Sequence, residues 1–151
     1  MAFTSGLLHD VGKLVLAAVE PEPYSHILHD RASNGLMMAH AEAECFRVTH
    51  ADVGSYLLTR WGLPPSVVIP VLHHHDVLTG SQQINKLHVA IKLANTVSHS
   101  LKGDYCDYPE RTQELNFDMD ALNMYYSQLP EIIDEISNNL DKVKALFARA
   151  K

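Results

Sequence analysis

The chain has 151 residues, a length that suits one domain with a single hydrophobic core. Its formal net charge is −6 and no stretch clusters Lys and Arg, which argues against binding nucleic acid by neutralising phosphates. No apolar run approaches the roughly 20 residues that span a bilayer, and the N-terminus lacks the features of a signal peptide. Two cysteines give no disulfide framework, so we expect a cytoplasmic protein. The charge and the lack of a long apolar run lead us to expect neither a nucleic-acid nor a membrane partner.

The first predicted element is a helix over residues 3–19, ending before Pro21. Its apolar residues recur at the spacing of one helix face and predict a buried helix: Leu7, Leu8, Val11, Leu14 and Val15. Residues 20–23, Glu-Pro-Glu-Pro, are typical of a turn. Inside the apolar run stand His9 and Asp10. A buried carboxylate without a partner costs several kcal/mol, so this pair must be hydrogen-bonded, ion-paired or metal-bound.

Further helices are predicted over residues 24–32, 37–46, 50–61, 66–75, 82–101 and 118–128, and from Pro130 onward. Glu42 and Glu44 predict a polar side for the helix over residues 37–46. Thr49 is the expected N-cap of the next helix, which Gly62 ends. Residues 102–116 are polar and are predicted to form a mobile loop. No segment alternates with the period of two that strands require, so we predict an all-α fold over residues 1–151.

Five residues can supply metal ligands. His9 and Asp10 offer an imidazole and a carboxylate from adjacent positions, His50 begins a later helix, and His74 and His75 lie at a helix C-terminus from which both rings can point inward. Nitrogen and oxygen donors together suit Zn, Fe, Mn or Ni, and the spacing does not separate these metals. A divalent ion in such a site can activate water towards phosphorus.

Each of these residues also has a purely structural interpretation, which the spacing leaves open. Asp10 can fix the tautomer of a neighbouring imidazole, and His50 can be an ordinary first-turn residue. The run of histidines at 73–75 can be a solvated helix end, where cations are favoured. Lys13 lies one turn after the His-Asp pair and can either neutralise a phosphate oxygen or remain at the surface.

Three segments carry a resemblance to a known family. Residues 6–13 read Gly-Leu-Leu-His-Asp-Val-Gly-Lys, residues 49–64 contain His-Ala-Asp-Val-Gly and end in Trp-Gly-Leu-Pro, and a His-His pair follows at positions 74–75. These segments resemble, in the same order, the motifs of the HD-related output domain (HDOD) of bacterial signalling proteins. That family belongs to the HD-domain metal-dependent phosphohydrolases. The resemblance spans residues 3–98 and implies an HD-domain-like helical bundle.

The resemblance also implies roles for individual residues. The implied metal ligands are His9, Asp10, His50, His74 and His75. In members with two metals, the position of Asp10 bridges them, and the position of Lys13 contacts phosphate. Asp10 and Lys13 are therefore the implied catalytic residues.

Several departures from the family pattern count against catalysis. The family's last ligand is an aspartate in an Ala-Asp pair, where this chain has Ala94-Asn95, and a neutral amide is a poorer ligand than a carboxylate. Catalytic members place a histidine upstream of the signature, and residues 1–8 contain none. The family's usual preceding helices are also missing, and residues 77–80 depart from a Gly-Tyr-Pro motif.

We therefore expect a regulatory or scaffold domain of bacterial signal transduction. Its partly degenerate metal site would be empty or would hold Fe, Mn, Zn or Ni. The alternative is a metal-dependent phosphohydrolase acting on a nucleotide or cyclic dinucleotide, so the expected partners are signalling proteins or a phosphorylated small molecule. If the chain begins at Met1, the missing helices leave apolar surface uncovered, and we expect a homodimer.

Overall fold

The computed structural model describes residues 1–34, 38–76, 86–101 and 129–148. Over these ranges the regular secondary structure is helical, and the predicted all-α fold is confirmed. The helices are α1 Ala2–Leu8, α2 Val11–Val19, α3 Pro21–Asn34, α4 Met38–Phe46, α5 His50–Arg60, α6 Pro65–Leu72, α7 Lys86–Leu101 and α8 Leu129–Ala148. The predicted mobile loop at 102–116 and the predicted helix at 118–128 lie outside the described residues.

The chain divides into two compact units, Met1–Lys92 and Leu93–Lys151. In the first unit, helices α2, α3 and α4 share a hydrophobic core formed by Leu16, Tyr24, Ile27 and Met38. Tyr24 also stacks on Phe46, with the ring centroids 6.4 Å apart. The five predicted metal ligands, His9, Asp10, His50, His74 and His75, all lie in the first unit.

The predicted first helix is interrupted at His9 and Asp10. Helix α1 ends at Leu8 and α2 begins at Val11. The His9 ring bonds the carbonyl oxygen of Gly6 through Nδ1 at 2.8 Å, and that carbonyl is the one a continuous helix would pair with the backbone N–H of residue 10. The interruption places two adjacent polar side chains in a turn, where both can face the same site.

Helices α1 and α2 are not buried as predicted. Leu7 and Leu14 are 69% and 71% exposed, and the residues that α1 and α2 do bury are Ser5, Gly12 and Leu16. Of the predicted apolar face, Leu7 and Leu14 are therefore exposed, while Leu8, Val11 and Val15 are half-buried. The homodimer expected from the sequence stays a prediction.

The stretch Ala2–Val19 is also apolar enough, by length and composition, to cross a membrane. Its mean hydropathy is 1.3 over 18 residues, and 17% of it is buried. Signal sequences near an N-terminus have the same properties. In this structure Asp10, near the middle of the stretch, lies within 4 Å of His50 and His74. We therefore describe α1 and α2 as part of the helical domain.

The ends of α5 were predicted correctly, whereas the start of α3 and the end of α6 were not. Helix α3 begins at Pro21 although a turn was predicted there, because proline is tolerated in the first turn, where backbone N–H groups have no intrahelical partner. Thr49 caps α5 as predicted, in a capping box with Asp52, and Gly62 follows it with a φ of 78°. Helix α6 ends at Leu72, before the histidines that were predicted to be helical.

Helices α2 and α5 cross where two glycines face each other. A Cβ at Gly12 would overlap the backbone carbonyl oxygen of His50 and would lie 2.7 Å from the backbone nitrogen of Gly54. Backbone atoms cannot rotate away as the end of a flexible side chain can, so only glycine at position 12 allows this approach. The crossing brings the start of α2 against the start of α5 and places Asp10 beside His50.

We expect Gly12→Ala to lower the free energy of unfolding by about 3 kcal/mol, because the added methyl group overpacks a backbone contact. Gly6→Ala is the matched control: nothing lies within 4 Å of a Cβ at Gly6, so its better helix propensity should leave stability unchanged or raise it by up to about 1 kcal/mol. Urea unfolding followed by circular dichroism measures both. Equal stability of the two variants would contradict the proposed role of the glycine contact.

Candidate metal centre

Asp10 is the carboxylate at the centre of the site. Its Oδ1 atom lies 3.3 Å from Nε2 of His50 and 3.8 Å from Nε2 of His74. The two Nε2 atoms are 3.3 Å apart. The turn after α1, the start of α5 and the turn after α6 therefore meet at one oxygen atom. The convergence expected from the sequence is present, and metal binding by these residues stays a prediction.

Two of the imidazoles are held by backbone carbonyls of their own segment. His9 bonds the carbonyl oxygen of Gly6 through Nδ1 at 2.8 Å, and His74 bonds that of Val71 through Nδ1 at 2.6 Å. A carbonyl oxygen only accepts, so the proton of each neutral ring is on Nδ1. The Nε2 atom of each ring is then an unprotonated donor for a metal, and the Nε2 atom of His9 lies 3.5 Å from Oδ2 of Asp10.

The third imidazole is held by a residue that the sequence analysis missed. Glu42 was predicted to lie on the polar side of α4, but its side chain is fully buried. Its Oε2 atom accepts hydrogen bonds from Nδ1 of His50 at 2.6 Å and from the backbone N–H of His50 at 2.7 Å. Its Oε1 atom accepts one from the Tyr24 hydroxyl at 3.2 Å. No local signal separates Glu42 from the exposed Glu44, because the packing of α3, α4 and α5 decides which one is buried.

The three consecutive histidines have different environments. His73 faces outward and pairs with Asp76, with Nδ1 2.7 Å from Oδ2. His74 is buried, and Nε2 of His75 lies 2.8 Å from Nε2 of His50. The interpretation as a solvated helix end therefore holds for His73 and is wrong for the other two.

Lys13 forms an ion pair with Asp10 instead of standing free at the surface. Its Nζ atom lies 2.7 Å from Oδ2 of Asp10. Burial by itself would raise the pKa of the Asp10 carboxyl, but the charge of the Lys13 ammonium and its hydrogen bond to the carboxylate lower that pKa to about 2. Asp10 is therefore ionised at neutral pH. The catalytic roles implied for Asp10 and Lys13 stay predictions.

Two histidines are neutral at physiological pH because they are buried. Burial lowers the pKa of His74 to about 4, although its hydrogen bond to the Val71 carbonyl opposes the shift. Burial and the neighbouring His74 lower the pKa of His75 to about 2. A neutral imidazole is the form that binds a metal, so both rings are ready to act as ligands without first losing a proton.

The donor set fits a divalent transition-metal ion. Ligands about 2.1 Å from a tetrahedral ion lie about 3.4 Å apart, close to the separations of 3.3 to 3.8 Å among Asp10 Oδ1, His50 Nε2 and His74 Nε2. Within the described residues two groups of donors can hold an ion: His50, His74 and His75, and His9, Asp10 and His74. In the same part of the chain, Asp10 Oδ1 is buried and accepts no hydrogen bond. A cation would satisfy it.

Residues 1–77, just over half of the 151-residue chain, match the HDOD domain family. The chain belongs to the HDOD domain family. The matched region contains all five predicted ligands and lies within the first compact unit. Asn95, which the family resemblance implied at the position of the last ligand, lies outside the matched region and belongs to the second unit.

Two relatives extend the comparison of this HDOD chain. An uncharacterized protein of Treponema pallidum (strain Nichols) is 25% identical over 103 residues, which make up 68% of this chain and 20% of that protein. The crystal structure of a "putative phosphohydrolase" from Shewanella amazonensis SB2B has a TM-score of 0.67 at 21% identity, and the match covers 89% of this chain and 49% of the other. At this identity the likeness establishes the fold. The HDOD chain spans about a fifth of the first relative and half of the second.

The lowered pKa values predict acid sensitivity of the metal-free HDOD chain. His74 titrates near 6.5 when unfolded and at about 4 when folded, so the unfolded state binds more protons between these values. His74 therefore contributes on the order of 3 kcal/mol to the free energy of unfolding. This contribution is present above pH 6.5 and is lost as the pH falls towards 4. Urea unfolding between pH 7 and 4.5 should therefore show falling stability in the wild type and a shallower fall in His74→Gln. The same dependence of stability on pH in both proteins would contradict the lowered pKa of His74.

Proposed function

We propose that this HDOD chain is a regulatory domain whose His-Asp cluster binds a divalent transition-metal ion. The observation that carries the proposal is the arrangement around Asp10. Its buried Oδ1 atom accepts no hydrogen bond and lies 3.3 Å from Nε2 of His50 and 3.8 Å from Nε2 of His74. Hydrogen bonds elsewhere place the ring protons on Nδ1, so two lone pairs and a carboxylate oxygen converge. Such a group repels itself unless a cation or a proton lies within it.

The charge of the cluster favours regulation over catalysis. In the two donor groups found among the described residues, Asp10 is the one carboxylate, and it is already paired with Lys13. The remaining donors are imidazoles, which carry no negative charge when they bind a metal, so little of a divalent ion's charge is offset by the ligands. Such a site binds its ion more weakly than a carboxylate-rich site does. Reversible binding suits a domain whose state changes with the supply of metal.

When bound, the ion would supply a cross-link between three segments of the chain. These are the turn at residues 9–10, the start of α5, and the turn after α6. Without a cation, the Nε2 lone pairs of His50 and His74 face each other at 3.3 Å. Loading would therefore stabilise the contacts among α2, α5 and α6, and partner proteins could recognise that change. Signalling proteins as partners, a cytoplasmic location and the absence of nucleic-acid and membrane partners are part of this proposal.

A metal-dependent phosphohydrolase is the second candidate, and the accessibility of one edge of the cluster favours it. The side chains of Asp10, Lys13 and His9 are 35%, 23% and 19% exposed, so a phosphate group can approach from that side. Lys13 would have to leave Asp10 to contact a phosphate oxygen. A bound ion would supply Lewis acidity there. The name of the Shewanella protein is in line with this candidate.

The proposed metal site predicts ligand-dependent stabilisation. Adding Zn²⁺ or Mn²⁺ to the metal-free chain should raise its melting temperature, with a gain of about 2.7 kcal/mol at a free metal concentration 100 times Kd. Asp10→Asn and His74→Gln should abolish the gain, because each removes a donor of the cluster. His26→Gln, at an exposed position of α3, is the matched control and should keep it. If saturating metal leaves the wild type unchanged and elemental analysis finds no bound metal, the proposal fails.

An assay on bis(p-nitrophenyl) phosphate with added Mn²⁺ or Fe²⁺ separates the two candidates. For a regulatory domain we expect metal binding with no turnover above the rate of metal alone, because the cluster holds a single, already paired carboxylate. Turnover by the wild type that disappears in Asp10→Ala would instead assign the phosphohydrolase function. The same preparations should be checked for bound metal, so that an inactive but unloaded sample is recognised.

A further inference from the structure

The buried Glu42 supports an inference that rests on the proposed metal site. Glu42 lies behind His50, on the opposite side of the imidazole from Asp10. Its Oε2 atom accepts two hydrogen bonds from His50, at 2.6 Å from the ring and 2.7 Å from the backbone, while Oε1 accepts one from Tyr24. Both carboxylate oxygens are therefore occupied inside the protein, and Glu42 belongs to neither donor group.

His50 has two neutral tautomers with opposite consequences for the site. With the proton on Nε2, the ring would direct an N–H group into the cluster, where Nε2 of His75 lies 2.8 Å away and Nε2 of His74 lies 3.3 Å away. That proton would occupy the place where the cation is proposed to lie. With the proton on Nδ1, the Nε2 lone pair faces Asp10, His74 and His75 and is available to a metal.

We propose that Glu42 is a positioning residue that selects the metal-binding tautomer of His50, and that Tyr24 orients Glu42. An ionised carboxylate accepts hydrogen bonds and donates none, so its contact with Nδ1 holds the proton on that atom. The backbone N–H of His50 donates to the same oxygen and fixes the position of that oxygen. A carboxylate behind a metal-binding histidine also strengthens the imidazole as a ligand.

The orientation of Glu42 is itself determined by packing. The Tyr24 ring is buried in the core that α2, α3 and α4 share, and it stacks on Phe46 near the end of α4. From there its hydroxyl donates to Oε1 of Glu42 at 3.2 Å. Helices α3 and α4 thus contribute to the site, although the two metal-donor groups found among the described residues include no side chain from either helix.

Nitrogen NMR of histidine-labelled, metal-free protein tests the tautomer directly. In the wild type, the His50 signals should show a protonated Nδ1 and an unprotonated Nε2. Glu42→Leu removes the acceptor and should move the proton to Nε2. Glu42→Gln can place its amide oxygen at the Oε2 position and should retain the Nδ1–H form. Glu44→Leu, at an exposed position of the same helix, is the matched control and should leave the His50 signals unchanged.

Calorimetric titration with Zn²⁺ adds a second measurement on the same proteins. We expect Glu42→Leu to bind Zn²⁺ on the order of 100-fold more weakly than the wild type and Glu42→Gln about 10-fold more weakly, with Glu44→Leu unchanged. Circular dichroism and the melting temperature of each metal-free variant show whether it folds. If Glu42→Leu does not fold, the wild-type His50 signals and the Gln variant decide the question.

The outcomes separate this inference from the proposed metal site. A wild-type His50 that carries its proton on Nε2, or on both nitrogens, would overturn the positioning role whatever the metal affinity. So would a folded Glu42→Leu variant that keeps the Nδ1–H form. A wild type with the expected tautomer that binds no Zn²⁺ would instead overturn the metal site and leave the selection of the tautomer by Glu42 in place.

Discussion

The close approach of α2 to the first turn of α5 is the constraint on which the site depends. Gly12 lies against the carbonyl oxygen of His50, at a distance that excludes any side chain. Two residues before Gly12, the chain turns at Asp10, so the backbone contact also sets the distance between the carboxylate and the His50 ring. The packing of Gly12 against α5 therefore sets the geometry of the His-Asp cluster, although Gly12 itself supplies no metal ligand. A shift of an ångström in this crossing would separate the donors.

Two opposing electrostatic effects act on the His-Asp cluster: repulsion among its lone pairs and the ion pair between Lys13 and Asp10. Imidazoles whose protons are directed outward leave their lone pairs facing each other, which is unfavourable without a cation. Lys13 supplies part of the missing positive charge by pairing with Asp10, and this pairing also reduces the negative charge available to a metal. Glu42 acts from the other side, on the far nitrogen of His50. The site therefore gathers metal donors without being strongly anionic, which is consistent with the proposed reversible binding of a metal ion.

Sequence reasoning identified the segments that meet at Asp10 but not their surroundings. The His-Asp pair, His50 and the two adjacent histidines are recognisable because their spacing and neighbours follow a known pattern. The Thr49 cap and the turn at Gly62 are local features, and both were predicted correctly. In contrast, the extent of α6 was predicted wrongly, because the His74 ring bonds the carbonyl oxygen of Val71, which a longer helix would pair with the backbone N–H of His75.

The sequence by itself determined the all-helical class, most helix positions and the family, because periodicity, capping and short motifs are properties of neighbouring residues. Only the tertiary structure decided that the first helix breaks at His9 and Asp10, and that Leu7 and Leu14 of its apolar face are exposed to solvent. Only the tertiary structure, too, placed Glu42 behind His50 while Glu44 is exposed. Burial and hydrogen bonding between distant segments depend on how helices cross, and no local pattern in the chain encodes the partner that each side chain will meet.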